Sequence, residues 1–320
     1  MSARVIAIRA VLAVVILAAP GCGGQLPPPD PPNLAEAKDS LGRGNYWFGR
    51  GCYREAGRFF KEGEISARLS DDVRLIIRAL NGQGAATLAE GDLDRAANFL
   101  AQALDLAQAQ PGRPELDRIL GNLAALAQRL GRLGDAGDLW RAAVQAASQA
   151  GVSPAAYQAS LARLHLAAGR REEFLALADQ ALVEARAAAP QADPAAPENL
   201  SLADALNLAG QAAGLRGDQD AAEKFFREAL ALDRRMEYTP GLAQDTEALG
   251  DLLSRGDRSG EAAGFLDRAF YLRLALGDVR GAARVLAGLK NLAPEIPVNL
   301  EGYQAALKNS APYRLDQRCP

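Results

Sequence analysis

The sequence is poor in the residues from which catalytic and metal sites are usually built. One histidine, His165, occurs in 320 residues, and cysteine occurs three times. A lone histidine removes most histidine-based catalytic and metal-binding arrangements. The chain also lacks a phosphate-binding glycine loop, a dinucleotide fingerprint and Cys/His metal spacing. These absences predict a protein that is not an enzyme and needs neither a cofactor nor a metal.

A strong charge of either sign is lacking as well. The formal net charge is −3 and the isoelectric point is about 5.5, so the chain has no general attraction for nucleic acid or anionic lipid. We therefore expect no nucleic-acid partner. Aromatic residues make up only 6%, while alanine, leucine and glycine dominate. This composition favours helices over strands.

An apolar run near the N-terminus, residues 10–19, is too short to span a bilayer, which needs about 20 residues. Arg4 and Arg9 come before the run, and small residues come after it. A basic start, a short apolar run and small residues are typical of a signal peptide. We interpret residues 1–21 as a signal peptide; a buried N-terminal helix is the alternative.

The small residues that end in Cys22, "AAPGC", resemble the lipobox of bacterial lipoproteins. The resemblance implies cleavage before Cys22 and attachment of acyl chains such as palmitate to it. Gly23 in place of aspartate implies the periplasmic side of the outer membrane if the host is Gram-negative. Ordinary secretion with cleavage near Gly21 is the alternative. The proline-rich residues 22–32 are then an extended tether between the lipid and the folded body.

The body of the chain repeats one pattern six times, starting at residues 44, 84, 124, 162, 210 and 250. Two copies are "GAATLAEGDLDRAANFLAQA" (84–103) and "GQAAGLRGDQDAAEKFFREA" (210–229). A small residue opens each copy, a glycine marks the turn in the first five, and an alanine precedes a large apolar residue by four positions in most. In the fourth copy Phe174 and Ala178 exchange these roles. The pattern predicts helix pairs that pack closely at their small residues.

This pattern resembles the tetratricopeptide repeat (TPR) family over about residues 34–290. The resemblance implies an all-α, right-handed α-solenoid of about six helix-turn-helix repeats with a C-terminal capping helix. The period here is about 40 residues, whereas the family's is about 34. A single helical bundle is the alternative. The expected array covers 33–292, with units near 34–69, 72–108, 115–149, 154–188, 199–236 and 240–276, a cap at 278–292 and a C-terminal extension at 293–320.

Solenoids of this kind bind partners in a concave groove lined by the first helices of the repeats. Alignment of the repeats places Lys38, Arg78 and Arg118 in one column, 40 residues apart. The acidic residues of the later repeats fall on the same face: Asp204, Glu247 and Asp251. We expect a groove that is basic in its N-terminal half and acidic in its C-terminal half; the alternative is that these long charged side chains only solvate exposed helix faces.

Three consecutive aromatic residues, Tyr46, Trp47 and Phe48, lie in the first repeat. A helix cannot bury all three on one face, so at least one is expected to point outward. Two roles are open: an anchor for a bound peptide, or a surface on which the tether or C-terminal tail packs.

Cys52 and Cys319 are the cysteines left if Cys22 carries lipid. An exported protein meets an oxidising compartment, in which the two could form a disulfide. That pairing requires the tail to run back along the array or the array to curl nearly closed; two free thiols are the alternative.

Together these features predict a lipid-anchored scaffold of the bacterial cell envelope that binds a protein or peptide partner. The alternative is a secreted envelope enzyme or carbohydrate-binding module on a helical scaffold, which would need a carboxylate pair facing an aromatic groove. No isolated carboxylate pair stands out in the sequence.

Overall fold

The structure is a computed structural model that describes residues 29–189, 198–256 and 258–310, together with Tyr313 and Cys319. The predicted signal peptide and Cys22 lie outside the described residues. The chain divides into two units, residues 1–31 and 32–320, and the second contains the helical array. Within the described residues no strand occurs, and no helix has the length and apolar character needed to cross a membrane.

Fourteen helices follow one another in the described part of residues 32–320, and the first twelve form six antiparallel pairs. The pairs are α1 (Pro32–Gly49) with α2 (Tyr53–Leu69), α3 (Val73–Glu90) with α4 (Leu93–Gln108), α5 (Leu116–Arg129) with α6 (Leu133–Gln149), α7 (Ala155–Ala167) with α8 (Arg171–Ala188), α9 (Glu198–Arg216) with α10 (Gln219–Met236), and α11 (Thr239–Leu253) with α12 (Ser259–Ala275). Two helices close the array, α13 (Val279–Leu292) and α14 (Leu300–Lys308). The predicted all-α repeat fold with a capping helix is confirmed.

Small residues bring the two helices of a pair together, as the spacing predicts. A Cβ added to Gly44 would lie 2.6 Å from the ring of Phe60, and one added to Gly210 would lie 2.5 Å from the ring of Phe226. Each large side chain therefore fills the space that a missing side chain leaves on the facing helix. In the fourth pair Phe174 is fully buried in the exchanged position.

Glycines end the first helix of each of the first five pairs in a left-handed conformation. Their φ angles lie between 74° and 90°, a region that L-residues with a side chain seldom adopt. They are Gly51, Gly91, Gly131, Gly169 and Gly217. Two of the second helices, α4 and α10, then begin at an aspartate cap: Asp92 and Asp218 accept hydrogen bonds from backbone N–H groups of the first turn. Turn and cap together reverse the chain within about three residues.

The first turn of the array contacts the junction between the fifth and sixth pairs. Arg50 forms an ion pair with Glu237, and a Cβ at Gly49 would lie 3.7 Å from Tyr238 Cδ2. Cys52 is joined to Cys319 by a disulfide, with 5.9 Å between their Cα atoms and 267 positions between them in the sequence. Residues far apart in the array are thus in direct contact.

Candidate functional site

The first helices of the later repeats line a cavity of about 500 Å³. Its apolar floor includes Leu166 of α7, Phe226 of α10 and Leu252 of α11, and its rim includes Asp251 and Arg255. An apolar floor with a charged rim can hold an apolar side chain while polar groups beside it fix its orientation.

Glu247 of α11 lies at the edge of this cavity, held by two arginines. Arg273 of α12 donates to Glu247 Oε2 from Nη2 at 2.6 Å and from Nε at 3.0 Å. Arg284 of α13 donates from Nε to Glu247 Oε1 at 2.7 Å, and this hydrogen bond raises the pKa of Arg284. We call Glu247, Arg273 and Arg284 the Glu247 cluster. Both carboxylate oxygens have donors, so the cluster is saturated.

The structure places the three predicted acidic residues of the C-terminal half in different surroundings. Of the three predicted acidic residues, Glu247 is held in its cluster and Asp204 forms an ion pair with Arg163 of α7, while Asp251 stays exposed at the rim of the cavity. The arginines come from neighbouring helices that the alignment of one column did not include. Their charges balance the carboxylates locally.

Asp233 near the end of α10 and Asp245 of α11 form a buried carboxyl pair that the sequence analysis missed. They are only 3% and 1% exposed. Asn207 Nδ2 donates to Asp245 Oδ1 at 2.7 Å, whereas Asp233 Oδ1 and Asp245 Oδ2 have no hydrogen-bond donor among the described residues. Burial, and for Asp233 the neighbouring Asp245, raise the pKa of both carboxyl groups above the ordinary 3.8. The pair therefore keeps a proton towards neutral pH.

The corner between α10 and α11 brings this pair together. Gly241, at the start of α11, leaves room that a Cβ would take from the carboxyl group of Asp233. A cavity of about 330 Å³ adjoins the pair and is also lined by Arg163, Tyr238 and Asp204. Burial lowers the pKa of Arg163 to about 10 and raises that of Tyr238 to about 12. The only sequence signal for the pair is a glycine eight residues after one aspartate and four before the other.

In the N-terminal half, Glu115 lies among arginines of α3 and α5. Arg78 Nη2 donates to Glu115 Oε1 at 2.9 Å, Arg74 Nε lies 3.8 Å from the same oxygen, and Arg118 Nε lies 3.4 Å from Oε2. The Glu115 side chain is 5% exposed. We call Glu115, Arg74, Arg78 and Arg118 the Glu115 cluster. Two members of the predicted basic column, Arg78 and Arg118, meet here, while Lys38 lies on the exposed surface of α1.

The aromatic run divides as the helix geometry requires. Tyr46 is 51% exposed, and the Arg50 guanidinium lies 3.8 Å over its ring. Trp47 and Phe48 are partly buried and pack against the core of the first pairs. Only Tyr46 is therefore available as an outward aromatic contact, and its face is already covered by a cation.

No family model matches the chain, and no curated protein matches its sequence. Its fold is similar to those of many solved structures, three of which are described here. Aspartyl phosphate phosphatase F from Bacillus subtilis matches with a TM-score of 0.57 and 16% identity, covering 87% of this chain and 71% of that chain. The apo form of RapI matches with a TM-score of 0.56 and 13% identity, covering 89% and 100%. A Rap protein complexed with Competence and Sporulation Factor matches with a TM-score of 0.55 and 16% identity, covering 86% and 78%. At these identities the likeness shows that the helical-repeat fold is shared.

Proposed function

We propose that the chain is a membrane-anchored, non-enzymatic adaptor of the bacterial cell envelope that binds a protein or peptide partner through the inner face of its repeats. The observation that carries the proposal is the cavity of about 500 Å³, to which α7, α9, α11 and α13 all contribute. A site spread over successive repeats suits an extended ligand better than a small molecule held at one point.

One likeness supports this proposal without extending to the partner's identity. A Rap protein with the same fold was solved in complex with Competence and Sporulation Factor. The fold can therefore hold a ligand. What this chain binds must come from the chemistry of its own cavity, which asks for an apolar side chain next to polar or charged groups.

Blocking the cavity tests the proposal. Ala248 lines it on α11, so Ala248→Trp should fill the space and abolish partner capture in a crosslinking pull-down from the envelope fraction. Ala101 is exposed on α4, and Ala101→Trp is the matched control that should leave capture unchanged. Equal capture by both variants would refute binding at this cavity.

We propose further that acyl chains on Cys22 anchor the protein. The support is the sequence pattern: a signal-like segment, the lipobox-like "AAPGC" and a proline-rich tether. Palmitate labelling and membrane fractionation of Cys22→Ala test it. Loss of label and of membrane association is expected, and unchanged fractionation would contradict the anchor.

The buried Asp233–Asp245 pair is the observation that favours the alternative of an envelope enzyme. An acid pair with a shared proton occurs in hydrolytic sites. Here, however, the two groups are 3% and 1% exposed, and Asp233 Oδ1 and Asp245 Oδ2 are buried, so the cavity beside the pair reaches little of either carboxyl group. We therefore propose a structural role for the pair and keep the adaptor as the function.

A further inference from the structure

The turn between α1 and α2, residues 49–53, lies against the corner between α10 and α11. The contact is made by Gly49 with Tyr238 and by the ion pair of Arg50 with Glu237. Tyr53 is also close, because burial raises the pKa of Tyr238 to about 12 and the neighbouring Tyr53 adds to the rise. We call the contact between residues 49–53 and residues 237–238 the seam.

The non-covalent contacts that close the seam are weak. Among the helices that the structure describes, those that pack extensively against one another are neighbours in the chain or are separated by one helix. The first pair therefore meets the fifth and sixth pairs through turns and not through helix faces. The Glu237 side chain in the ion pair is 64% exposed, and an ion pair so open to water contributes little.

The Cys52–Cys319 disulfide supplies what these contacts lack. It ties the first turn to the C-terminal tail and so keeps the two sides of the seam at a high effective concentration. The last helix, α14, ends at Lys308, before Cys319, so the tail can part from Cys52 without the unwinding of any described helix. Closure of the seam therefore depends mainly on one bond that can be made and broken chemically.

The two cysteines of this bond differ in access and in surroundings. Cys52 is only 5% exposed, whereas Cys319 is partly exposed, so an attacking thiolate reaches Cys319 Sγ more readily. Cys52 stands directly before α2, and the N-terminus of a helix stabilises a negative charge there. This position favours Cys52 as the thiolate that leaves when the bond is broken.

The seam also closes one end of the inner face of the repeats. The cavities of about 500 Å³ and about 330 Å³ share Arg163 and Gln244 in their linings, so their surfaces are continuous. Tyr238 lines the smaller cavity and contacts the first turn. An extended ligand that follows this surface from the larger cavity therefore meets the first turn at Tyr238.

We propose that the Cys52–Cys319 disulfide is a reversible redox latch, and that its reduction by a dithiol opens the seam and uncovers the Tyr238 end of the inner face. A thiolate of the dithiol attacks Cys319 Sγ, the S–S bond breaks, and Cys52 leaves as a thiolate that takes up a proton. The second thiol of the reagent resolves the mixed disulfide and releases Cys319 as a thiol. The protein gains two electrons and two protons, and the dithiol becomes a disulfide. The proposal rests on the proposed function, since it adds regulation to the same inner face.

Dithiothreitol, added to the full chain in native buffer, tests the latch. Alkylation followed by mass spectrometry should find thiols at Cys52 and Cys319 while the circular dichroism spectrum stays unchanged. Amide hydrogen exchange of residues 49–53 and 237–241 should then become about tenfold faster or more, because the seam no longer covers them. Exchange of residues 133–149, which form α6, should change less than about twofold.

Three variants separate the disulfide from the other contacts of the seam. Cys52→Ser never forms the bond, so its seam should exchange at the fast rate with or without dithiothreitol. Arg50→Gln removes the ion pair and keeps the bond, so exchange should rise less than about fivefold. Arg141→Gln breaks a comparable exposed pair with Asp138 on α6 and is the matched control, with no change expected at the seam.

A disulfide that dithiothreitol reduces only after urea has unfolded the chain overturns the proposal. A reduced, folded protein whose seam exchanges less than about fivefold faster than the oxidised protein does so too. Failure of the latch is separable from failure of the adaptor function, because hydrogen exchange needs no partner. If Ala248→Trp abolishes partner capture while reduction leaves the seam closed, the adaptor stands and the latch falls. If reduction opens the seam while Ala248→Trp and Ala101→Trp capture equally, the latch stands and binding at the cavity falls.

Discussion

The Glu115 cluster and the Glu247 cluster place the same kind of charge arrangement in the two halves of the array. Each has one carboxylate among arginines of neighbouring helices, with side-chain exposures of 5% for Glu115 and 11% for Glu247. The difference lies in the hydrogen bonds. Both oxygens of Glu247 accept hydrogen bonds, whereas Glu115 accepts one hydrogen bond and its second oxygen has only the ion-pair contact with Arg118 Nε at 3.4 Å. Two clusters with the same kind of charge arrangement thus differ in how fully the carboxylate is hydrogen-bonded.

Both halves of the array belong to one folded unit, and the Cys52–Cys319 disulfide covalently links its first turn to its C-terminal end. Cys52→Ser should lower the free energy of unfolding by up to about 5 kcal/mol, because the open chain regains the closure entropy of a very long loop. Urea unfolding followed by circular dichroism measures this.

Cys319→Ser should cost the same as Cys52→Ser, and the double variant no more than either. A loss that doubles in the double variant would show that each cysteine contributes separately. Two free thiols in the mature protein, found by non-reducing mass spectrometry, would remove the link altogether.

Removal of the saturated carboxylate should cost the most among the charge variants. Glu247→Ala leaves Arg273, which is largely buried, without its partner and should lower the free energy of unfolding by about 3 kcal/mol. The matched control is Asp138→Ala, which breaks an exposed pair with Arg141 and should cost less than about 1 kcal/mol. Equal losses in the two variants would mean that the Glu247 cluster adds nothing beyond a surface pair.

The carboxyl pair, to which no arginine donates a hydrogen bond among the residues that the structure describes, should make the C-terminal half sensitive to pH. Asp233 and Asp245 have raised pKa values, so the folded state holds a proton that the unfolded state loses near its ordinary value of 3.8. Stability from this source is complete below about pH 4 and falls as the pH rises through the raised values towards neutrality.

Asp245→Asn keeps the bond from Asn207 and removes one charge, so it should be about 2 kcal/mol more stable than the unmodified protein at pH 8 and lose the advantage at pH 4. Denaturant titrations across this range measure the effect. Asp220→Asn, an exposed change on α10, is the control and should show no such trend. If the free energy of unfolding of Asp245→Asn changed with pH in parallel with that of the unmodified protein, the carboxyl pair would not hold the extra proton.

The smallest effect is expected at the unsaturated cluster. Glu115→Gln should change the free energy of unfolding by less than about 1 kcal/mol, since a single hydrogen bond is altered and repulsion among the remaining arginines is partly screened by water. The same urea titration measures it. A loss as large as that of Glu247→Ala would end the distinction between the two clusters.

The helix pairs could be predicted from the sequence because their signal is local. A glycine at 44 and a phenylalanine at 60 recur at a fixed spacing in later copies, and close packing needs both. The turn glycines could be predicted for a similar reason, because residues with a side chain seldom adopt the φ angles of these turns.

The charges could not be predicted in the same way, because they depend on contacts off the repeat period. Arg273 lies 26 residues from Glu247 on a second helix, so an alignment of first helices does not pair them. Asp233 and Asp245 meet at the corner between α10 and α11, and the spacing of residues in the repeat does not specify the angle between these two helices. Nothing in the residue pattern distinguishes Glu115, which accepts one side-chain hydrogen bond, from Glu247, which accepts hydrogen bonds from two arginines.

The disulfide between the first turn and Cys319 changes how the array can come apart. In an open solenoid the end repeats have one neighbour each, so melting starts at the ends and moves inward. Here the first pair also touches Glu237 and Tyr238, and the covalent bond keeps that contact at high effective concentration. The array therefore resembles a one-dimensional lattice whose two ends are joined, so that no repeat is a free end. We expect its repeats to unfold as one cooperative block and not to fray from either end.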